Sequence, residues 1–146
     1  MNRQIERPKS LKELQDEILA DYVLAVKIHG LRAQFEAGFI YAISNPAWEG
    51  YLKIGSAIDY SQRLQIYQTA APLRDYEFAY VAVTGHRLLA ERQALASLSE
   101  YRVRQTEWFF VDREVAINRL YNSAREYPYH WGRAAGQRMT FAKSLT

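Results

Sequence analysis

The run from Gly38 to Tyr67, GFIYAISNPAWEGYLKIGSAIDYSQRLQIY, decides the fold. GFIYAIS and YLKIG are rich in β-branched and aromatic residues, and the intervening NPAWEG has the composition of a turn. The pattern predicts a hairpin. IDYSQRLQIYQ follows as a short helix that Asp59 can cap. Downstream, DYEFAYVAV alternates and reads as a third strand, and HRLLAERQALASLSEY reads as a helix. EWFFV reads as a short strand, and DREVAINRLYNSA as a last helix opened by Asp112. Residues 38–122 therefore read as one compact α/β unit.

Two segments flank it. Residues 1–37 form a helical extension whose helix spans residues 10–36. Ser10 and Glu13 stand three apart, as in a capping box. Leu11, Leu14, Ile18, Tyr22, Ala25 and Ile28 make an apolar stripe at helical spacing, and Gly30 is a candidate break. Such a helix either covers a core or dimerises. Residues 123–146 are aromatic, then small, polar and basic, which predicts an irregular tail packed through Tyr127, Tyr129 and Trp131 before it frays.

Composition excludes several classes. With 146 residues, 49% hydrophobic and 24% charged, the chain is long enough to bury a core without staples. The absence of cysteine removes disulfides, thiolate zinc sites and cysteine nucleophiles. His29, His86 and His130 lack ligand spacing, which argues against zinc. No apolar run approaches the ~18 residues of a membrane span, and MNRQIERPKS lacks the apolar stretch of a signal peptide. The expectation is a soluble intracellular protein, cytoplasmic, or in the host cytoplasm if phage-encoded. The net charge of +3 arises entirely after residue 122, where 4 basic groups face 1 acidic group. Residues 38–122 balance at 9 and 9, so charge gives little support for nucleic-acid binding.

Five polar side chains break the pattern. Glu91 falls on the helical stripe of Leu88, Leu95 and Leu98, where a carboxylate is costly unless paired, hydrogen-bonded or bound to a metal. Lys53 lies mid-strand beside Gly55, on either a solvated or a functional face. Tyr41 shares a face with Phe39 and Ile43, a core position whose hydroxyl then needs a partner. Arg63 and Tyr67 are four apart and share a helix face, as surface packing or as part of a site. A carboxylate, a lysine, an arginine and two tyrosines in one unit form an inventory that fits metal-assisted phosphodiester hydrolysis.

The order and spacing of these residues resemble the GIY-YIG nuclease superfamily, and look closest to the branch typified by a phage T5 open reading frame and fungal meiotically up-regulated proteins. Gly38-Phe39-Ile40-Tyr41 is similar to the first motif and Lys53-Ile54-Gly55 to the second. Arg63, Tyr67, Glu91 and Glu107-Trp108-Phe109 follow in order. The resemblance implies a small antiparallel-type sheet flanked by helices, an α+β fold that cuts DNA with one divalent ion, Mg²⁺ or Mn²⁺. It implies that Tyr41 positions or activates the attacking water, that Arg63 stabilises phosphate charge, and that Tyr67 is the accessory residue. Glu91 is then the sole carboxylate ligand of the metal. Lys53 stands where the superfamily has tyrosine, as a general base if burial lowers its pKa or as a phosphate contact if charged. The window Val103–Thr106 lacks the asparagine that many relatives carry.

The expected function is thus a metal-dependent DNA endonuclease. The alternatives are a non-catalytic DNA-binding or regulatory module on the same scaffold, and a protein-interaction domain. Arg125, Arg133, Arg138 and Lys143 of the tail are either backbone-phosphate contacts or solvated side chains. A homodimer through residues 10–30 is one route to site specificity.

Overall fold

The computed structural model describes residues 9–30 and 35–129. Helix α1 spans Leu11–His29, strand β1 Gly38–Ser44, strand β2 Tyr51–Ala57 and helix α2 Tyr60–Ala70. Strand β3 spans Glu77–Thr84, helix α3 Arg87–Ser97, strand β4 Trp108–Phe110 and helix α4 Arg113–Arg125. The four strands form one antiparallel sheet in the order β3-β1-β2-β4. The hairpin of β1 and β2 closes through a 3-10 turn over Pro46–Trp48 and Gly50, whose φ of 86° suits a residue without Cβ.

Every residue of β1 is buried, because helices cover both faces of the sheet. Phe39, Tyr41 and Ile43 point to the side of α1 and α2, where Leu11, Leu14, Ile18 and Tyr60 complete one core. Ile40 and Ala42 point to the side of α3 and α4, with Leu52, Ile54, Leu98, Phe109 and Leu120. Ala90, Ala94, Ala116 and Ala124 are fully buried, and these small side chains let α3 and α4 lie close to the sheet. Burying each large apolar side chain contributes about 1.5–3 kcal/mol. A register shift between Ala42 and Ile43 lets both Tyr80 and Phe78 of β3 find partners on β1. The strict alternation expected of DYEFAYVAV is lost because both faces are covered here: Tyr80 and Ala82 enter one core, Val81 and Val83 the other, and Tyr80 to Thr84 are all buried.

Capping chemistry sets the helix starts. Ser10 and Glu13 form the capping box of α1. Asp59 accepts from Gln62 N at 3.0 Å and Asp112 from Glu114 N at 3.1 Å. Several boundaries differ from the sequence pattern. Helix α1 stops at His29 because Gly30 adopts φ 83°, so the helix expected over residues 10–36 is shorter. Helix α3 ends at Ser97, with a 3-10 turn over Ser99–Tyr101 in place of its expected last turn. The tail expected from residue 123 begins later, because α4 continues to Arg125.

The apolar stripe of α1 divides in two. Leu11, Leu14 and Ile18 are buried against the sheet of the same chain, so this part covers a core rather than offering a dimer surface. Ile28 at its far end is 64% exposed. Gln15, buried in the packed half, donates to Ser61 Oγ at 3.1 Å and accepts from Ser61 N at 3.3 Å, tying α1 to α2. After α4 the chain returns over the end of β3. Thr84 Oγ1 donates to Ala124 O or Tyr127 O at 3.1 and 3.2 Å, and the Tyr129 hydroxyl donates to Asp21 of α1. Tyr127 and Tyr129 thus pack as the sequence suggested, while Trp131 lies outside the described residues.

Leu14→Ala is expected to lower the unfolding free energy by about 2–5 kcal/mol. Ile28→Ala should change it by less than about 0.5 kcal/mol. Urea unfolding of the two variants checks which half of α1 belongs to the folded unit.

Candidate active site

The outer edge of β2 is only partly covered. β4 pairs with Tyr51, Leu52 and Lys53, and Ile54 N donates to Glu107 O at 3.1 Å. Among the described residues, no strand lies along this edge of β2 from Gly55 to Ala57. Side chains from opposite faces of the sheet meet around this open edge. They line a cleft of about 650 Å³ that brings together Tyr41, Lys53, Arg63, Tyr67 and Glu91, with Ser56, Arg87 and Glu107 on its walls. All five residues singled out as catalytic therefore face one space. They come from β1, β2, α2 and α3.

Gly55 makes room for Tyr41. The two are cross-strand partners, and a Cβ at Gly55 would lie 2.5 Å from Tyr41 Oη and 2.7 Å from Cζ. Tyr41 is 1% exposed, and its hydroxyl finds the partner that burial demands in Tyr67 Oη at 3.3 Å. Burial first, then the hydrogen bond with Tyr67, pushes the Tyr41 phenol far above its ordinary pKa. It stays protonated at any working pH and acts as a hydroxyl donor or acceptor, not as a phenolate. The Asp59 cap starts α2 so that Arg63 and Tyr67, one turn apart, both face the cleft. Arg63 is exposed. Lys53 is half-buried, with Nζ 5.3 Å from the centre of the Tyr67 ring.

Glu91 reaches the cleft for a different reason from the one its sequence pattern suggested. The buried stripe of α3 is Ala90 and Ala94, continued by Leu98 just past its end; of the three leucines only Leu98 is fully buried, and Leu95 is half-buried against the same core. Leu88 is 53% exposed and itself lines the cleft. Glu91 lies next to Ala90 on the flank of the stripe, half-buried. No carboxylate is forced among leucines. Its carboxyl pKa is nevertheless raised, mainly by burial. The nearby Glu107 carboxylate pushes in the same direction, and a hydrogen bond with the Ser56 side chain and the charge of Arg63 oppose it.

Among the described residues no cluster of three or more His, Cys, Asp or Glu exists. The donors around Glu91 are oxygens: its own half-buried carboxylate, the Ser56 hydroxyl beside it and the Glu107 carboxylate within electrostatic reach. Such a set fits a hard divalent ion that keeps several waters, as Mg²⁺ does. It does not fit zinc, which takes three or four protein ligands, mostly nitrogen or sulfur. A cation there would relieve the repulsion between the Glu91 and Glu107 carboxylates.

Ser56 and Arg87 escaped the sequence reading. The signal for Ser56 was present, since alternation puts it on the face of Leu52 and Ile54, where a polar side chain is out of place. Arg87 had no such signal. Its guanidinium donates to the carbonyls of Phe35 and, at 3.3 Å, Ala37, fixing the approach to β1. Arg125 is exposed on α4 with its guanidinium 5.5 Å from the Tyr121 ring, and it is not part of the cleft. Arg133, Arg138 and Lys143 lie outside the described residues.

A family model, the T5orf172 domain, matches residues 38–122. The chain belongs to the T5orf172 domain family. This is a nuclease-associated family, and the matched segment of the T5orf172 domain runs from the first residue of β1 into α4, so it contains all five cleft residues. Comparison with curated proteins and with solved structures returned no match. Among the described residues of this T5orf172 protein, no helix is long and apolar enough to cross a membrane.

Gly55→Ala is expected to destabilise the fold by about 1–3 kcal/mol, because the Tyr41 ring has to move. Denaturant unfolding reads this directly. A second expectation concerns pH. A carboxyl whose folded pKa is raised stabilises the fold below its unfolded pKa, and that contribution disappears as pH rises through the folded value. Without divalent ions, Glu91→Gln should therefore be more stable than the parent at neutral pH and equal to it in acid. An identical gain at both pH values would assign the effect to something other than ionisation.

Proposed function

We propose that this T5orf172 protein is a GIY-YIG-type DNA endonuclease that hydrolyses phosphodiester bonds with a single divalent cation, Mg²⁺ or Mn²⁺. The supporting observation is the convergence of Glu91 with Tyr41, Lys53, Arg63 and Tyr67 in one cleft at the open edge of β2. Family membership supports a nuclease-like or DNA-associated role in general terms.

Glu91 would hold the metal, its carboxylate oriented by the hydrogen bond with Ser56. A divalent ion held there would supply Lewis-acid polarisation of a phosphate and charge stabilisation for a leaving oxygen. Arg63, exposed at the cleft mouth, binds the phosphate and places a permanent positive charge where negative charge develops. Lys53 adds a second cation to the phosphate, steadied by the Tyr67 ring. Tyr41 is buried, protonated and tied to Tyr67, so its hydroxyl orients the attacking water through hydrogen bonding.

Nicking of supercoiled plasmid across a titration of Mg²⁺ and Mn²⁺ tests the proposal. The parent should nick only with metal, and Glu91→Gln should fold, bind DNA and fail to nick. Arg63→Ala should lose about 10²–10³ in rate. Undiminished nicking by Glu91→Gln would remove that residue from the centre of the mechanism. DNA binding by the parent without nicking, in any metal, would make the domain a non-catalytic module.

A further inference from the structure

Among the described residues, one half of the sheet face that carries Lys53 is left exposed. Tyr51, Lys53, Trp108 and Phe110 lie on that face, at the register pairs Tyr51↔Phe110 and Lys53↔Trp108. Tyr51 is 37% exposed, Phe110 60%, and Trp48 on the β1–β2 turn 50%. Solvent-facing aromatics at this density are unusual for a surface with no partner.

The rings form a continuous track that starts inside the cleft. Tyr67 lies 5.4 Å from Tyr76, Tyr76 lies 6.4 Å from Trp48, and Trp48 lies 5.7 Å from Trp108, measured between ring centres. Their interplanar angles of 45°, 46° and 69° mean that the rings do not stack face to face on one another. Along this track runs a second groove of about 340 Å³, lined by Trp48, Tyr51, Tyr76, Val103, Thr106 and Trp108, with no charged group among them.

Hydrogen bonds hold the backbone under Tyr76, Trp48 and Trp108. Gln68 of α2 grips the backbone of Tyr76 twice, donating to its carbonyl at 2.7 Å and accepting from its N–H at 2.9 Å. Trp48 N donates to Asn45 O at 3.0 Å. Trp108 N donates to Thr106 Oγ1 at 3.1 Å, and Trp108 O accepts from Val103 N at 2.8 Å. Neighbouring charges of both signs adjoin the groove along the chain: exposed Arg104 beside Val103, Glu49 beside Trp48, Asp75 beside Tyr76 and Glu107 beside Trp108, with Lys53 the register partner of Trp108, while Arg102 donates to Thr106 O and lies over the Phe109 ring.

We propose that this groove holds single-stranded DNA, with unpaired bases stacked on Trp48 and Trp108 and the backbone leading into the cleft. Aromatic faces on a hydrogen-bonded backbone, with basic side chains nearby, are the recognition chemistry of unstacked bases, since every base offers a π-face and duplex DNA buries its own. Continuity with the cleft through Tyr67 and Tyr76 selects DNA over another protein as the occupant. The assignment rests on the endonuclease reading. It deepens that reading by naming the substrate class as DNA with unpaired bases next to the cut, such as a flap, a bubble or a branch.

Binding measured in EDTA separates the two claims, because no cleavage is needed. The full chain should bind a labelled oligothymidylate with quenching of tryptophan fluorescence. Trp48→Ala and Trp108→Ala should each weaken that binding at least about fivefold, with duplex binding and the fold unchanged. Trp→Phe at either position should restore most of the affinity. If single-strand and duplex binding fall together, or neither falls, the stacking groove is wrong. If light scattering shows a dimer that Trp48→Ala dissociates, the surface belongs to a second copy of the chain. Intact single-strand binding by a parent that never nicks would overturn the nuclease reading and leave the groove standing.

Discussion

Tyr41 can cross to the far side of β2 only because its cross-strand partner, Gly55, has no side chain. The space that a methyl group would fill there is occupied by the phenol itself. From that single concession follow the contact with Tyr67, the burial of the hydroxyl and the proximity of α2 to the sheet edge. The short β4 does the complementary work. It covers β2 where the hydrophobic layer under Leu52 and Phe109 needs covering, and stops before Gly55. A longer β4 would have sealed the edge through which the two faces communicate.

The cleft gathers charge of both signs without direct pairing. Glu91 feels Arg63 electrostatically, but no salt bridge within 4 Å joins them, and its hydrogen-bond partner is the neutral Ser56. A carboxylate neutralised by arginine would be a structural feature, already satisfied. A carboxylate held by a hydroxyl, next to a second carboxylate and partly withdrawn from water, keeps its appetite for a cation. The same logic separates Arg63 from Arg87. Arg87 spends its donors on the carbonyls of Phe35 and Ala37, while Arg63 stays exposed at the mouth of the cleft.

Local chemistry was legible in the sequence because its causes are local. Ser10, Asp59 and Asp112 announce helix starts, and Gly30 announces a stop, through contacts within a few residues of themselves. The hairpin was legible for the same reason. Glu91 was singled out by a stripe that holds only in part: Leu98 is fully buried and Leu95 packs against the core, but Leu88 is exposed, and Ala90 and Ala94 are what α3 buries most deeply. Hydrophobicity alone cannot tell which of two adjacent stripes meets the sheet when close packing favours small side chains. The aromatic track was not legible at all. Trp48, Tyr76 and Trp108 are far apart in the chain, and only strand order β3-β1-β2-β4 brings them together.

The alanines on α3 have one more effect. A helix seated on methyl groups sits as near to a sheet as backbones allow, so Ala90 and Ala94 act as the ruler that sets how deep Glu91 lies. Depth governs how much water reaches the carboxylate, and water governs how strongly it holds a charge partner. In this architecture the hydration of the Glu91 carboxylate is set by two small side chains on the neighbouring stripe.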